Sequence, residues 1–267
     1  MIKKRADILL FEKGLVNSRE KAKTLILEGE VYIDGKRARK ASERFLEGAH
    51  IDIAINPLIY VSRAGLKLEK AIEEFSIELK DKTAMDIGSS TGGFTQCMLE
   101  EGAKRIYAID VGKDQLVEEL RRNPKVVVME GTNIRDLTRE KVKDDIDFIS
   151  IDVSFISLKL VLPIAVKFLK DDGQLVALVK PQFEVGRNNV GKKGIVKNEK
   201  LHSEVLTSII EFSRSLDLNV EGLTFSPIAG SKGNIEFLIH IKKSKDKDHR
   251  ETFSISQVLK QAHDQLD

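Results

Sequence analysis

The sequence predicts an α/β fold built on a mostly parallel sheet and preceded by a small α+β module. Three features carry that prediction. From Ser62 onward, apolar strand-like runs alternate with helix-like ones. Within that stretch, Asp86 to Thr95 reads Asp-Ile-Gly-Ser-Ser-Thr-Gly-Gly-Phe-Thr, and it turns an apolar lead-in through glycines into an apolar run, Phe94 to Leu99, that reads as helix. The first 55 residues, by contrast, pattern as two short helices and a small sheet.

In that leading module, Ala6 to Lys13 reads as a short amphipathic helix carrying Ile8, Leu9 and Leu10. Ser18 is a good N-cap, with Glu20 in the first turn, for a second helix with Ala22, Leu25 and Ile26 on one face. Gly29 closes that helix. Val31-Tyr32-Ile33 is a strand running into Asp34-Gly35, a type I′ hairpin signal, and Ile51, Ile53 and Ile55 alternate as a later strand. Residues 1–55 hold twelve Lys/Arg against nine Asp/Glu, and the remainder thirty-two against thirty-three. The basic residues fall in three knots, Lys3-Lys4-Arg5, Arg19/Lys21/Lys23 and Lys36-Arg37/Arg39-Lys40. The stretches Arg5-Ala-Asp-x-Leu-Leu, Gly14-Leu-Val-Asn-Ser-Arg-Glu-Lys-Ala and Leu27-Glu-Gly-Glu-Val-Tyr-Ile-Asp-Gly-Lys resemble the αL RNA-binding motif of a small-subunit ribosomal protein, pseudouridine synthases and tyrosyl-tRNA synthetases. The resemblance implies that the second helix and the hairpin dock on structured RNA, with Arg5, Arg19, Lys21, Lys23, Lys36, Arg37 and, beyond the linker, Arg63 as RNA-binding candidates.

Asn56-Pro57-Leu58-Ile59-Tyr60 reads as a linker, because proline resists both helix and central strand. The division expected is a module at 1–55, a linker at 56–62, an α/β domain at 63–242, and a charged linker with a C-terminal helix at 243–267. In the α/β domain, helix 64–75 leads to a strand at 84–88, helix 92–101, a strand at 106–110, helix 113–121 and a strand at 126–129. A strand at 146–151, helix 157–169, a strand at 173–179, a glycine-rich loop (Gly186, Gly191, Gly194), helix 198–215 and strands at 218–225 and 235–241 complete it. Seven strands result. After the mixed-charge run Lys242 to Arg250, Ile255, Val258, Leu259, Ala262 and Leu266 mark the amphipathic C-terminal helix.

Composition narrows the function classes. With 41% hydrophobic and 32% charged residues among 267, the chain reads as an ordinary charged globular protein. No apolar run approaches the ~20 residues that span a bilayer, and the basic start lacks an uninterrupted apolar segment behind it, so a cytoplasmic location and no membrane partner are expected. The single cysteine, Cys97, excludes an internal disulfide and offers no metal cluster, so no metal is expected. No stable protein partner is evident.

The glycine loop points to a cofactor. Its spacing, Asp-x-Gly-x-x-x-Gly-Gly, departs from the dinucleotide fingerprint, and Asp86 precedes the first glycine. An acid at the loop's mouth repels a pyrophosphate and suits a sulfonium, which points to S-adenosylmethionine held by Asp86, Gly88, Ser89, Ser90, Gly92, Gly93 and Phe94, with Asp152 a further cofactor contact. About 20 residues on, the strand Arg105 to Ile109 ends in Asp110, where a ribose hydroxyl is gripped. The bland alternative is a pair of ordinary strand-end acids around a structural turn.

Four further polar residues stand at strand ends or pocket walls: Lys67 in the helix after the linker, Asp152 after the strand 146–151, Lys180 after the strand 173–179, and Glu236 at the start of the last strand. Ligands sit outside the carboxyl ends of strands in open α/β sheets. Glu236 shares that rim only if its strand runs antiparallel to the rest, an arrangement typical of class I methyltransferases. A lysine ending a buried strand is either held in an ion pair with Asp152 or Glu236, or used as a base once burial and a second cation favour its neutral form. Lys67, Asp152, Lys180 and Glu236 together suit methylation of a weakly acidic hydroxyl such as a ribose 2′-hydroxyl.

Residues 3 to 242 as a whole resemble the TlyA family, whose catalytic domain is similar to the FtsJ-type RNA ribose 2′-O-methyltransferases. The resemblance implies a Rossmann-like class I methyltransferase domain, a catalytic tetrad at Lys67, Asp152, Lys180 and Glu236, and Asn133, within Gly131-Thr-Asn-Ile-Arg-Asp, as the adenine contact. It also implies cytidine 2′-O-methylation of ribosomal RNA in ribosomal subunits. Leu58-Ile59-Tyr60-Val61 stands where better-known members carry an Arg-Ala-Trp-Val-like tetrapeptide. Two rival classes remain open at this level: a non-catalytic ribosome-binding factor with a vestigial pocket, and a membrane-acting haemolysin. Against the second, the C-terminal helix carries Asp264 and Asp267.

Overall fold

The computed structural model describes residues 3–16, 18–53, 60–186, 189–191, 194–244 and 252–266, so parts of the two expected linkers, 56–59 and 245–250, lie outside the described residues. The chain divides into two compact units, Met1–Arg63 and Ala64–Asp267.

The first unit runs β1 (Lys3–Arg5), α1 (Ala6–Glu12), α2 (Arg19–Glu28), β2 (Val31–Ile33), β3 (Lys36–Arg37), β4 (Arg44–Leu46) and β5 (Ile51–Ile53). Ser18 caps α2 by accepting from the Lys21 amide, and Gly29 ends it in the left-handed region, as the sequence signals require. Asp34 and Gly35 both have positive φ, 51° and 72°, so the β2–β3 hairpin turns as type I′. β2 also pairs with β5. The β1–β4 pair was not legible in the sequence, because each strand is only three residues long and neither alternates. Ala22, Leu25 and Ile26 of α2 meet Ala6, Leu10, Val31 and Ile33 in a core of the unit's own.

The second unit runs α3 (Ala64–Glu74), β6 (Thr83–Ile87), α4 (Gly93–Glu100), β7 (Arg105–Ile109), α5 (Glu118–Arg121), β8 (Val126–Met129), β9 (Ile146–Ile151), α6 (Leu158–Ala165), β10 (Leu169–Val179), α7 (Pro181–Glu184), α8 (Glu199–Ser215), β11 (Asn219–Phe225), β12 (Phe237–Lys242) and α9 (Ile255–Leu266). Its seven strands lie in the order β11-β12-β10-β9-β6-β7-β8. The five from β10 to β8 are mutually parallel, and β12 runs antiparallel to both of its neighbours. Alternate strand residues face opposite layers. Met85, Ile87, Ile149, Ile151, Leu175, Ala177, Ile239 and Ile241 share a core with α6, α8 and α9. The intervening positions face the other side, where α3 and α4 pack together.

Several elements of this unit differ from the sequence reading: the expected helix 157–169 ends at Ala165, and a short helix at Pro181–Glu184 was not expected. The expected helix 113–121 is helical only from Glu118, because the Glu130 carboxylate accepts the amides of Asp114, Gln115 and Leu116 at 2.8–2.9 Å and holds that segment as a loop. β10 begins at Leu169 rather than Gly173, with a shift of register between Leu169 and Gln174.

Candidate active site

Strand register assembles one rim. Ile87 of β6 pairs with Ile109 of β7 and Ile151 of β9, Ile151 pairs with Ala177 of β10, and Val179 of β10 pairs with Phe237 of β12. Gly88, Asp110, Asp152 and Lys180 follow those strands directly, so they emerge at their carboxyl ends. Glu236 comes immediately before β12, and the antiparallel course of that strand brings it to the same rim.

The glycine loop is shaped by close approach. Gly88 has φ of 89°, and a Cβ there would lie 2.2 Å from the Asp152 carbonyl oxygen, so glycine alone lets the loop pass the end of β9. The amides of Gly88 and Ser89 both donate to the Ile109 carbonyl. Asp110 then ties two loops together, its carboxylate accepting from the amides of Ser90 (2.8 Å) and Gly112 (2.7 Å). Thr132 donates its amide to the Asp110 carbonyl, which brings Asn133 alongside; the Asn133 side chain caps the single turn 134–136 by accepting from the Arg135 amide. Ser90 is exposed, whereas Gly92, Gly93 and Phe94 are buried where α4 begins.

Asp86 sits differently from the expectation that it guards the loop's mouth. Met85 and Ile87 face α6, α8 and α9, so the side chain between them points to the α4 layer. There it is fully buried, accepting hydrogen bonds from the hydroxyls of Thr95 (2.6 Å) and Ser150 (3.0 Å), and burial pushes its pKa up to about 7. It braces β6 against α4 and β9 from beneath the loop.

The four polar residues resolve into two ion pairs. Lys67 Nζ donates to Glu236 Oε2 at 2.6 Å, with both residues buried. Gly230 packs against that carboxylate so closely that a Cβ would lie 2.0 Å from Glu236 Oε1. Lys180 Nζ lies 2.5 Å from Asp152 Oδ1 and donates to the Ser154 hydroxyl at 3.1 Å. Gln182, two residues beyond Lys180, reaches Glu236 Oε1 at 3.5 Å.

Sequence reasoning passed over Ser154, Gln182 and three neighbours. Val111, directly after Asp110, is 69% exposed. Phe155 is 90% exposed with a left-handed backbone (φ 64°), and its ring lies 5.0 Å from that of Phe183. One signal was available: Phe155 follows Asp152, and Phe183 follows Lys180, by the same three residues.

In the first unit, Asp7 is buried and gathers two of the basic candidates. Arg5 grips its carboxylate with two nitrogens (2.8 and 3.1 Å) and Arg19 adds a third contact at 3.1 Å, which holds the Asp7 carboxyl below its ordinary range. Lys36 and Arg37 are exposed on β3. Lys23 pairs with Glu20 and Arg63 with Glu30, both at 2.5 Å, and Lys21 donates to the carbonyls of Tyr60 and Val61. Lys21 and Arg63 thus do internal structural duty.

The mixed sheet, its antiparallel β12 and the glycine loop opening α4 define a Rossmann-like methyltransferase. Residues 60–243 match the family of FtsJ-like methyltransferases and residues 4–51 the S4 domain, and the chain belongs to the FtsJ-like family, in its S4-bearing TlyA and hemolysin group. It is 48% identical over 268 residues to the Bacillus subtilis protein YqxC, named for a candidate rRNA methyltransferase activity, covering 99% of this chain and 95% of that one. The 16S/23S rRNA (cytidine-2'-O)-methyltransferase TlyA of Mycobacterium tuberculosis is 38% identical over 244 residues, 91% of each chain. A solved structure described as a candidate hemolysin from Streptococcus thermophilus superposes with a TM-score of 0.80 at 45% identity, covering 99% of this chain and 97% of its own. No helix among the described residues is long and apolar enough to cross a membrane.

Proposed function

We propose that this chain methylates the ribose 2′-hydroxyl of cytidine in ribosomal RNA, using S-adenosylmethionine and acting in the cytoplasm on ribosomal subunits. The observation that carries the reading is the meeting of two lysine–carboxylate pairs, Lys67–Glu236 and Lys180–Asp152, at the rim where the glycine loop ends. The name of the M. tuberculosis relative supports the choice of cytidine and of rRNA.

The residues present fit the cofactor. Ser89 carries a buried hydroxyl oxygen with no hydrogen-bond partner, Gly88 leaves a gap that a Cβ would close, and Val111 offers an exposed apolar face beside Asp110. Gly88, Ser89, Ser90 and Gly92 would hold the methionine end, Asp110 the ribose hydroxyls, and Asn133 with Val111 the adenine. Asp86, Gly93 and Phe94 shape the loop from below. When bound, the cofactor supplies an electrophilic methyl carbon on a sulfonium.

The chain's own residues orient the acceptor and move its proton. Lys180 Nζ, aimed by Asp152 and Ser154, holds the 2′-hydroxyl and, as the neutral amine, takes its proton as the oxygen–methyl bond forms and the methyl–sulfur bond breaks. Only the neutral amine can accept that proton, so the ammonium first gives up its own to solvent. Lys67 and Glu236 form the opposite wall and fix the attacking oxygen in line. Phe155 and Phe183 give the target base a face to stack on. The test incubates purified, unmodified subunits with labelled cofactor and maps 2′-O-methyl groups. Wild-type chain labels cytidine, and Lys180→Ala abolishes labelling while cofactor and RNA still bind. Full turnover by Lys180→Ala would remove this mechanism.

A further inference from the structure

Helix α9 lies beyond residue 243, where the match to the FtsJ-like family ends, yet it is docked on the second unit through buried Val258, Leu259 and Ala262. Apolar contacts alone would suffice to seat it. It also delivers a polar group to the interior: His263 Nε2 lies 3.2 Å from Nδ1 of His202, a fully buried residue of α8. Nε2 of His202 lies 2.9 Å from the Val196 carbonyl oxygen. A carbonyl only accepts, so His202 carries a proton on Nε2; in the neutral ring its Nδ1 then accepts, and His263 donates. The direction of the relay is thereby set.

The relay continues toward the active site. The Val196 amide donates to Asn234 Oδ1 at 3.0 Å, Asn234 Nδ2 donates to the Gly194 carbonyl at 3.0 Å, and the Gly230 amide donates to the Asn234 carbonyl at 2.8 Å. Asn234 is buried two residues before Glu236, and Gly230 is the residue packed against the Glu236 carboxylate. The His202 ring also stands edge-on to Phe237, the residue after Glu236. A buried polar chain of this kind holds its members in one arrangement when every link is made, and is costly when one is missing.

We infer that α9 is a positioning element of the active site, in which His263 and His202 act through Val196 and Asn234 to hold the segment that presents Glu236 to Lys67. The inference rests on the methyltransferase reading for its catalytic consequence, and on the hydrogen bonds for its structural one.

The experiment compares the full-length wild-type chain with His263→Ala and His263→Gln, since a glutamine Nε2 can still donate to His202. Methyl transfer to unmodified ribosomal subunits is measured beside amide hydrogen exchange at residues 194–196 and 230–236. His263→Ala should lower kcat about 10-fold, less than the ~100-fold that a full 1 Å misplacement can cost. Its KM for S-adenosylmethionine should stay within about twofold, and exchange should quicken at those two segments with the other strands protected as before. His263→Gln should restore both. Wild-type turnover and exchange in the alanine variant would overturn the inference, as would a glutamine variant no better than alanine or a loss of protection spread over the whole unit. If the wild-type chain labels no subunit, the substrate reading fails instead, and exchange at the same amides still decides the relay.

Discussion

Phe155 is the residue whose conformation most needs a reason. A bulky side chain in the left-handed region costs about 1–2 kcal/mol, and at 90% exposure little of its ring is buried in return. Phe155→Gly is therefore expected to raise the unfolding free energy by about 0.5–1 kcal/mol in denaturant titrations, while removing a stacking face worth ~1–3 kcal/mol lowers kcat/KM on subunits. Parallel falls in stability and activity would refute the trade. Asp86 makes a prediction of opposite kind. Its folded pKa, about 7, lies above that of an unfolded aspartate, so the folded state binds the extra proton between those values. Stability contributed by Asp86 is full at acid pH and lost as pH rises toward 7. At about 1.4 kcal/mol for each tenfold change in acidity, the ceiling is about 4 kcal/mol. Asp86→Asn should flatten the stability curve of the protein between pH 4 and 7, as read by denaturant midpoints across pH.

At the scale of elements, the loop that begins where helix 113–121 was expected is governed by Glu130. Its carboxylate takes three backbone amides and Arg121, and despite some burial those partners hold its pKa down at about 2. The sign is the reverse of Asp86: the stabilisation is present above the ordinary glutamate range and lost as pH falls toward 2. Glu130→Ala leaves the amide of buried Leu116 without its acceptor and returns those of exposed Asp114 and Gln115 to water. It is expected to destabilise the unit by about 1–3 kcal/mol and, because the neighbouring Gly131 amide donates to the Gly112 carbonyl in the Asp110–Asn133 loops, to weaken S-adenosylmethionine binding in calorimetry. Unchanged cofactor affinity would separate the cap from the site.

For the whole molecule, the division of labour between the two units is testable through salt. Charge reversal at Arg19 sets a like charge against buried Asp7 and so confounds RNA binding with stability. Lys36 and Arg37 lie exposed on β3. Lys36→Glu with Arg37→Glu should weaken binding to ribosomal RNA and make the dependence of log affinity on log salt shallower by about 1 for each phosphate that is no longer neutralised, with cofactor affinity unchanged. A chain lacking residues 1–55 is expected to bind cofactor but methylate subunits poorly. Equal activity on subunits would reduce the first unit to a cap.

What the sequence determined by itself is what depends on near neighbours along the chain. The Ser18 cap, the Asp34-Gly35 turn, the alternation of strands and helices, and the glycine loop are set by local backbone preferences and periodicity, which act over a few residues. The placement of Lys67, Asp152, Lys180 and Glu236 near strand ends and helix faces was legible for the same reason. Which lysine faces which carboxylate was not. Lys67 and Glu236 are 169 residues apart, and only the order of the sheet, with β12 inserted antiparallel beside β10, brings them to 2.6 Å. The burial of Asp86, the loop at 114–116 and the histidine relay likewise depend on which layer a strand face meets and where a distant carboxylate or imidazole comes to rest. Tertiary packing alone decides those, because side-chain contacts across a sheet have no signature in the order of the residues.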